Sequence, residues 1–312
     1  MDFKKGITFA PFAHKGSFEQ KEAYHSLDLL KERTGANYIL LVPNALQETA
    51  QSESIDYTSD ATMSDKELID LIDYAHKAGL KVVLKPTVNC KNGTWRAFIN
   101  FFDKNVHCEP KWANWFASYT EFQMHFAAIA EQTGCELFIA GCEMVMTERR
   151  ADEWRKLISD LRTVYHGPVT YNTDKYQEEQ ITWWDCVDYI CSSGYYPLED
   201  WDQELDRIEA VVHKFNKPFF FAECGCMSTS GSCLVPNDWR VRGDANVEEQ
   251  ALWYEAMFQA CAKRDWVGGF FLWDWPWKHC PESKTATDTG YDVYNKPAEK
   301  VVKKYYEGWN AR

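Results

Sequence analysis

The chain has 312 residues, 45% of them apolar and 26% charged, a globular profile that excludes disordered, collagen-like and coiled-coil proteins. No apolar run approaches the ~20 residues of a membrane span. With 34 Lys and Arg against 47 Asp and Glu, the net charge of −13 argues against nucleic acid and against anionic membrane surfaces, which bind through cationic neutralisation.

The first predicted strand is Ile7–Phe12, followed by a helix over residues 19–34 that ends at Gly35. Tyr38–Pro43 is the second strand. A long connection over 44–64 then leads to a helix with Leu68, Leu71, Ile72 and Ala75 on one face, closed by Gly79. Lys81–Thr87 is the third strand. Another long connection, 88–111, precedes the stripe Phe122, Phe126, Ile129 and Ala130, closed by Gly134. Leu137–Cys142 is the fourth strand, and Trp154, Leu157, Ile158 and Leu161 form the next stripe before Gly167. After the fifth strand, Val169–Asn172, Ile181 to Cys186 allows only one or two helical turns. Tyr189–Ser193 is the sixth strand, and its helix carries Leu205, Ile208, Val212 and Phe215 up to Asn216-Lys217-Pro218. Phe219–Ala222 is the seventh strand, with a long connection over 224–247 and a stripe of Trp253, Met257, Ala260 and Cys261. Gly269–Trp273 is the eighth, and a long connection over 274–296 leads to a last helix at 297–307.

Short continuous apolar strands alternating with amphipathic helices are the pattern of parallel strands covered on both faces. Eight such units in one uninterrupted chain predict an α/β fold, a single (β/α)8 TIM barrel domain over residues 1–312. An open doubly wound sheet is the other arrangement. The connections leaving the strand ends are long and the turns entering the strands are tight. Chemistry in a barrel sits on the long-loop side.

The chain contains eleven cysteines, and Met1-Asp2-Phe3-Lys4-Lys5-Gly6 runs directly into Ile7 with no room for a secretion signal, so a reducing cytoplasmic location is expected, with most thiols acting as small buried apolar groups. Cys224-x-Cys226 with Cys233 resembles part of a metal site, but no second pair or His spacing completes it, and no metal or other cofactor is expected.

A carboxylate ending an apolar strand points into the barrel mouth, where burial costs free energy unless function retains it. Glu143 ends Leu137–Cys142 on strand four, and Glu223 ends the Phe219–Ala222 run on strand seven. Period-2 alternation puts Leu137, Ile139 and Gly141 inward with Glu143, and Phe219 and Phe221 inward with Glu223. Two glutamates facing each other across a barrel mouth match glycoside hydrolysis by paired carboxylates. The structural alternative is that each pairs with a loop Lys or Arg. Asp274 is a third strand-end carboxylate, read as a sugar-hydroxyl partner or a structural group, and Asp174 is a weaker fourth.

Aromatic residues make up 15% of the chain, with 14 Trp, which fits either a sugar cleft or a Trp-rich core. Trp273 ends strand eight and would floor the sugar beside the scissile bond, unless it caps the core. Trp275, Trp277 and Trp95 lie in mouth-side loops and are candidate outer subsites or loop packing. Of the neighbours Tyr195 and Tyr196, only one can face the mouth. Tyr195 is preferred, as a hydrogen-bond partner of the strand-seven carboxylate. Lys85, Asn89 and His14 each could meet a sugar hydroxyl or anchor a loop. Other chemistries lack support: there is no His-x-His on a strand, no Gly-rich phosphate loop after a strand and no Gly-x-Ser-x-Gly. A Schiff-base role for Lys85 has nothing else behind it.

Lys5-Gly6-Ile7-Thr8-Phe9, Leu84-Lys85-Pro86, Gly141-Cys142-Glu143, Gly194-Tyr195-Tyr196-Pro197-Leu198, Ala222-Glu223-Cys224-Gly225 and Leu272-Trp273 together resemble clan A of the retaining glycoside hydrolases. Within that clan the chain resembles glycoside hydrolase family 113, the β-1,4-mannanases. The resemblance implies that Glu143 is the acid/base, Glu223 the nucleophile, Trp273 the platform at the cleaved sugar and Tyr195 the partner of the nucleophile. The implied substrate is a β-linked manno-oligosaccharide or mannan. A clan A enzyme on β-glucosides or β-galactosides and a silent sugar-binding barrel are the alternatives. One departure is Cys142, where many clan members carry an Asn that holds the sugar 2-hydroxyl. A thiol donates poorly, so that contact must be weaker or come from another residue.

Overall fold

In the computed structural model, which describes residues 2–309, the apolar runs close on themselves. The ten strands are β1 (Lys4–Phe9), β2 (Tyr38–Leu41), β3 (Asn44–Gln47), β4 (Lys81–Leu84), β5 (Thr87–Cys90), β6 (Leu137–Cys142), β7 (Val169–Thr173), β8 (Ile190–Ser193), β9 (Phe219–Cys224) and β10 (Val267–Trp275). Eight of them form a closed barrel in the order β1-β2-β4-β6-β7-β8-β9-β10, with every pair parallel. The outer ring is α1 (Lys21–Thr34), α2 (Asp65–Lys77), α3 (Trp112–Thr133), α4 (Ala151–Leu161), α5 (Trp201–Phe215), α6 (Val247–Cys261) and α7 (Pro297–Gly308). After the fifth barrel strand a single 3₁₀ turn, Trp184–Cys186, takes the place of a helix.

β3 and β5 were not legible as strands. The chain breaks its barrel pairing at Val42-Pro43 and Lys85-Pro86, because proline has no N–H for the ladder. It then resumes as a parallel two-stranded extension, Asn44↔Thr87 to Gln47↔Cys90, that raises one wall of the mouth.

Leu40, Val83, Leu137, Ile139, Phe220, Ala222 and Phe271 fill the barrel interior. The larger core lies between strands and helices and takes up most of the tryptophans, including Trp115, Trp154, Trp183, Trp184, Trp201 and Trp253. The aromatic surplus is therefore largely a structural one.

Strict alternation fails at three strand ends. Along β6, Ile139 pairs with Thr170 but Cys142 with Asn172, so three residues oppose two. Along β9, Phe221 pairs with Ser192 and Glu223 with Ser193, one residue too many. Along β10, Leu272 pairs with Ile7 and Trp275 with Phe9. Each is a β-bulge, which adds a residue to one strand and re-aims the side chains beyond it. The expectation that Phe219 and Phe221 point inward is thereby corrected. Phe220 and Ala222 line the interior, while Phe221 packs outward on Trp201, 5.6 Å between rings. The extra residue brings Glu223 to the mouth all the same. Gly141 is likewise part of the β6 bulge, at φ 122°, where a Cβ would lie 2.3 Å from the Tyr119 hydroxyl.

Candidate active site

Glu223 lies at the bottom of the mouth and is buried. Lys85, at the end of β4, reaches across the barrel and forms an ion pair with Glu223 Oε1. The ammonium also donates to Asn172 Oδ1 at 3.1 Å. Cys142 Sγ lies 3.2 Å from Glu223 Oε1, and the Tyr195 hydroxyl donates to Oε2 at 3.0 Å. Tyr196 points the other way, its hydroxyl donating to Glu178 at 2.8 Å. Burial alone would raise the Glu223 carboxyl. The charges of Lys85 and Arg96 and the hydrogen bonds from Lys85 and Cys142 outweigh it, so the group is held below the usual carboxylate range.

Glu143 directly follows β6 in the left-handed region, at φ 52°. A non-glycine residue there is strained, and surrounding contacts must hold it. Its N–H donates to the Asn172 carbonyl at 2.8 Å. The Ser193 hydroxyl donates to Oε1 at 2.7 Å, and Arg96 Nη2 lies 3.3 Å from Oε2. Arg96 comes from the loop after β5 and is fixed by three further contacts: the Cys142 carbonyl at 2.8 Å, the Cys142 sulfur at 3.3 Å and Asn89 Oδ1 at 3.0 Å. Asn89 in turn donates to Asn44 on β3, and Asn44 to the Pro11 carbonyl, so the raised wall orients the guanidinium.

One carboxylate oxygen of Glu143, one of Glu223 and the Cys142 sulfur all lie within 4.8 Å of one another. A thiol with two carboxylates could in principle hold a cation, but Lys85 and Arg96 already supply the positive charge there. The thiol is pushed well above its ordinary pKa by burial and then by Glu223, so it stays protonated and acts as a donor. Cys224 and Cys226 do not converge: the first faces the Phe271 carbonyl and the second Ser232 and the Met227 carbonyl.

Trp273 is half-buried at the rim. Its ring lies 6.0 Å from the Lys85 ammonium and meets the exposed Phe12 edge-on at 5.8 Å. Gly225 lets β9 approach it, since a Cβ there would lie 2.3 Å from the Trp273 carbonyl oxygen.

Several sequence-derived candidates stand elsewhere. Trp275 is fully buried, its indole N–H donating to the Ser26 hydroxyl at 3.0 Å, so it seals β10 against α1 and lines no subsite. The β10 bulge accounts for that inward turn. Lys85 is fully buried and committed to Glu223 and Asn172, which removes it as a sugar-hydroxyl partner. The Cys142 thiol likewise faces Glu223 rather than open mouth. His14 is exposed, with Nδ1 at the Lys15 carbonyl, and touches none of the paired carboxylates' partners. Asp274 is half-buried. Burial and then the charge of Asp292 push it up to about 7, and the other charges that act on it, Lys296 and Asp288, belong to the 288–296 loop. Trp95 stands beside Arg96 on the rim, 41% exposed. Arg96, Asn172 and Ser193 were missed. The last two end strands, and a filter extended from carboxylates to amides and hydroxyls would have found them.

Lys85→Met tests the buried pair. Removing one partner of a buried ion pair leaves the other uncompensated, so the variant should lose about 3 kcal/mol of stability at neutral pH. Glu223, with its folded pKa depressed, stabilises the fold above its unfolded pKa and loses that contribution as pH falls through the folded value. Without Lys85 the burial effect prevails and the carboxyl rises. The acid limb of activity should therefore move to higher pH, and thermal melting against pH should lose its advantage above the carboxylate range. An unchanged acid limb would show that Lys85 does not set the charge of Glu223.

A sequence profile described as Glycoside Hydrolase Family 113 matches residues 7–296. Among solved structures, one described as a complex of a GH113 β-1,4-mannanase is 53% identical, covers 99% of this chain and 100% of its own, and has a TM-score of 0.98. A GH113 β-mannanase from Alicyclobacillus acidocaldarius, solved in complex with ManMIm, is 40% identical, with a TM-score of 0.95 over 99% of this chain and 98% of that one. A β-glucuronidase from Ruminococcus gnavus, at 15% identity and TM-score 0.65 over 98% of this chain and 50% of that one, shares the fold. No curated protein sequence matches the chain.

Proposed function

The chain belongs to glycoside hydrolase family 113, and from that premise we propose that it is a retaining β-1,4-mannanase in which Glu223 is the nucleophile and Glu143 the acid/base. The observation that carries this reading is that one oxygen of Glu143 and one of Glu223 lie within 4.8 Å of each other, which favours the short carboxyl gap of a retaining enzyme. Retention needs a gap of ~5–5.5 Å, whereas inversion needs ~6.5–9.5 Å to admit a water.

The environments divide the labour. Glu223, held ionised by Lys85 and Arg96 and aimed by Tyr195, attacks the anomeric carbon. Glu143 gives its proton to the leaving oxygen, then takes one from the water that breaks the glycosyl–enzyme bond. Trp273 covers the apolar side of the sugar that becomes covalently bound. The Cys142 thiol faces Glu223, so the 2-hydroxyl contact that an Asn makes elsewhere in the clan falls to another group.

The substrate is a β-1,4-linked manno-oligosaccharide. All eleven cysteines are free thiols, which supports a reducing cytoplasm, where an enzyme meets oligosaccharides rather than polymer. Among the described residues no helix is long and apolar enough to cross a membrane. The net charge of −13 also favours an uncharged glycan over nucleic acid or an anionic membrane.

Hydrolysis of mannotriose to mannohexaose, set beside the matching cello-oligosaccharides, tests the sugar. Cleavage of the manno series with little of the cello series is expected. Robust cello-oligosaccharide cleavage with none on the manno series would overturn the substrate and leave the mechanism standing.

A further inference from the structure

Asp174 is a buried acid near Glu143 that the mechanism leaves unused. It directly follows β7. Tyr171 faces outward onto Trp154, 4.7 Å between rings, and the Thr173 hydroxyl donates outward to Glu148 at 2.8 Å. Asn172 faces inward, where it meets Lys85 and Ser193. Asp174 comes directly after β7, the strand next to β6, close enough to Glu143 for the charge of that carboxylate to act on it.

The side chain is only 10% exposed, yet no other side chain donates a hydrogen bond to it among the described residues. Only its neighbour Lys175 approaches, with the ammonium 3.6 Å from Oδ1 and the backbone N–H alongside. Other buried carboxylates near it each accept from at least one side-chain hydroxyl. Glu148 accepts from Tyr171 and Thr173, both at 2.8 Å, and Glu178 accepts from Tyr196 and pairs with Arg207. A buried carboxylate with so little compensation is costly. Burial, and then the charge of Glu143, push Asp174 up to about 7.

The acid/base must reach the glycosidic oxygen, so the leaving sugar lies on the Glu143 side of the mouth, away from Trp273. We propose that Asp174 and Lys175 bind the leaving sugar, the carboxylate accepting from its hydroxyls and the ammonium donating to a hydroxyl oxygen, and so set the preference for a sugar at that position. The proposal rests on the glycosidase reading and on Glu143 as its acid/base. A sugar hydroxyl supplies the donor that the protein withholds.

The test compares Asp174→Asn with the parent on mannotetraose and on dinitrophenyl β-mannobioside, which places no sugar at that position. On mannotetraose kcat/KM should fall about ten- to a hundredfold, the range of a hydrogen bond to a charged group. The loss on the aryl substrate should be at least fivefold smaller, and transfer to mannose as acceptor should fall with the mannotetraose rate. Equal losses on both substrates, or none on mannotetraose, overturn the proposal. Lys175→Met should show the same split in weaker form, and it decides the matter if Asp174→Asn does not fold. If the parent cleaves no manno-oligosaccharide, the substrate reading fails instead, and the same comparison on whichever oligosaccharide series it cleaves still decides the role of Asp174.

Discussion

Replacing Glu223 with alanine should abolish turnover on every substrate, a loss on the order of 10⁵-fold or more, as expected when the covalent nucleophile is removed. No other group can take over. The Cys142 sulfur is 3.2 Å from the carboxylate, but its thiol is held protonated by burial and by Glu223. The same logic sets the acid side of the parent profile. Glu223 is active when ionised and sits below the usual carboxylate range, so activity should persist until the pH falls through that depressed value. A 2-deoxy-2-fluoro mannoside with a good leaving group should form an adduct on Glu223, visible by peptide mass mapping. An adduct on another residue, or an inverted anomer in the first product seen by NMR, would refute the assignment.

Glu143→Ala should instead divide substrates by leaving group. On manno-oligosaccharides, whose alkoxide needs a proton, the loss should be about 10²–10⁴-fold, the usual share of general acid–base catalysis. Dinitrophenyl mannobioside needs no proton to depart, so its glycosylation step should survive while deglycosylation slows. Azide, which needs no base, should then speed turnover and yield a β-mannosyl azide. Rescue of Glu223→Ala but not of Glu143→Ala, with a β-azide product, would reverse the two roles. The variant should fold, because Glu143 is held by Ser193 and Arg96 at the mouth and carries no core packing.

The barrel was legible because its strands are continuous apolar runs and its helices carry apolar stripes, two patterns that hydrophobic burial writes directly into sequence. Glu143 and Glu223 were legible because a carboxylate at the end of such a run is an anomaly. What could not be read was anything that depends on an inserted residue. The bulges in β6, β9 and β10 shift the parity of the side chains. That is why Phe220 rather than Phe221 lines the interior and why Trp275 turns into the core. Nor could sequence show that Lys85 spends its charge on Glu223, since the two are 138 positions apart and meet only when the barrel closes. Arg96 carries no local mark at all. It is one arginine in a long loop, and its meaning comes from Asn44 and Asn89, which the proline-interrupted β3 and β5 bring together.

The two cations of the site have different supports. Lys85 follows directly on a barrel strand and is buried against Glu223 and Asn172. Arg96 hangs from a surface loop and is aimed by two asparagines at the rim. In evolutionary terms the nucleophile's counter-charge is frozen with the scaffold, whereas the acid/base answers to a part of the chain that tolerates insertion and exchange. Adaptation to new surroundings should therefore accumulate in the 91–111 loop and shift the acid edge of the working range only by the share that Arg96 supplies, while the share of Lys85 stays where the barrel put it. A laboratory selection for activity at altered pH offers the same asymmetry as a handle: randomising the loop alters the Arg96 charge that reaches both carboxylates and leaves the Lys85–Glu223 pair in place.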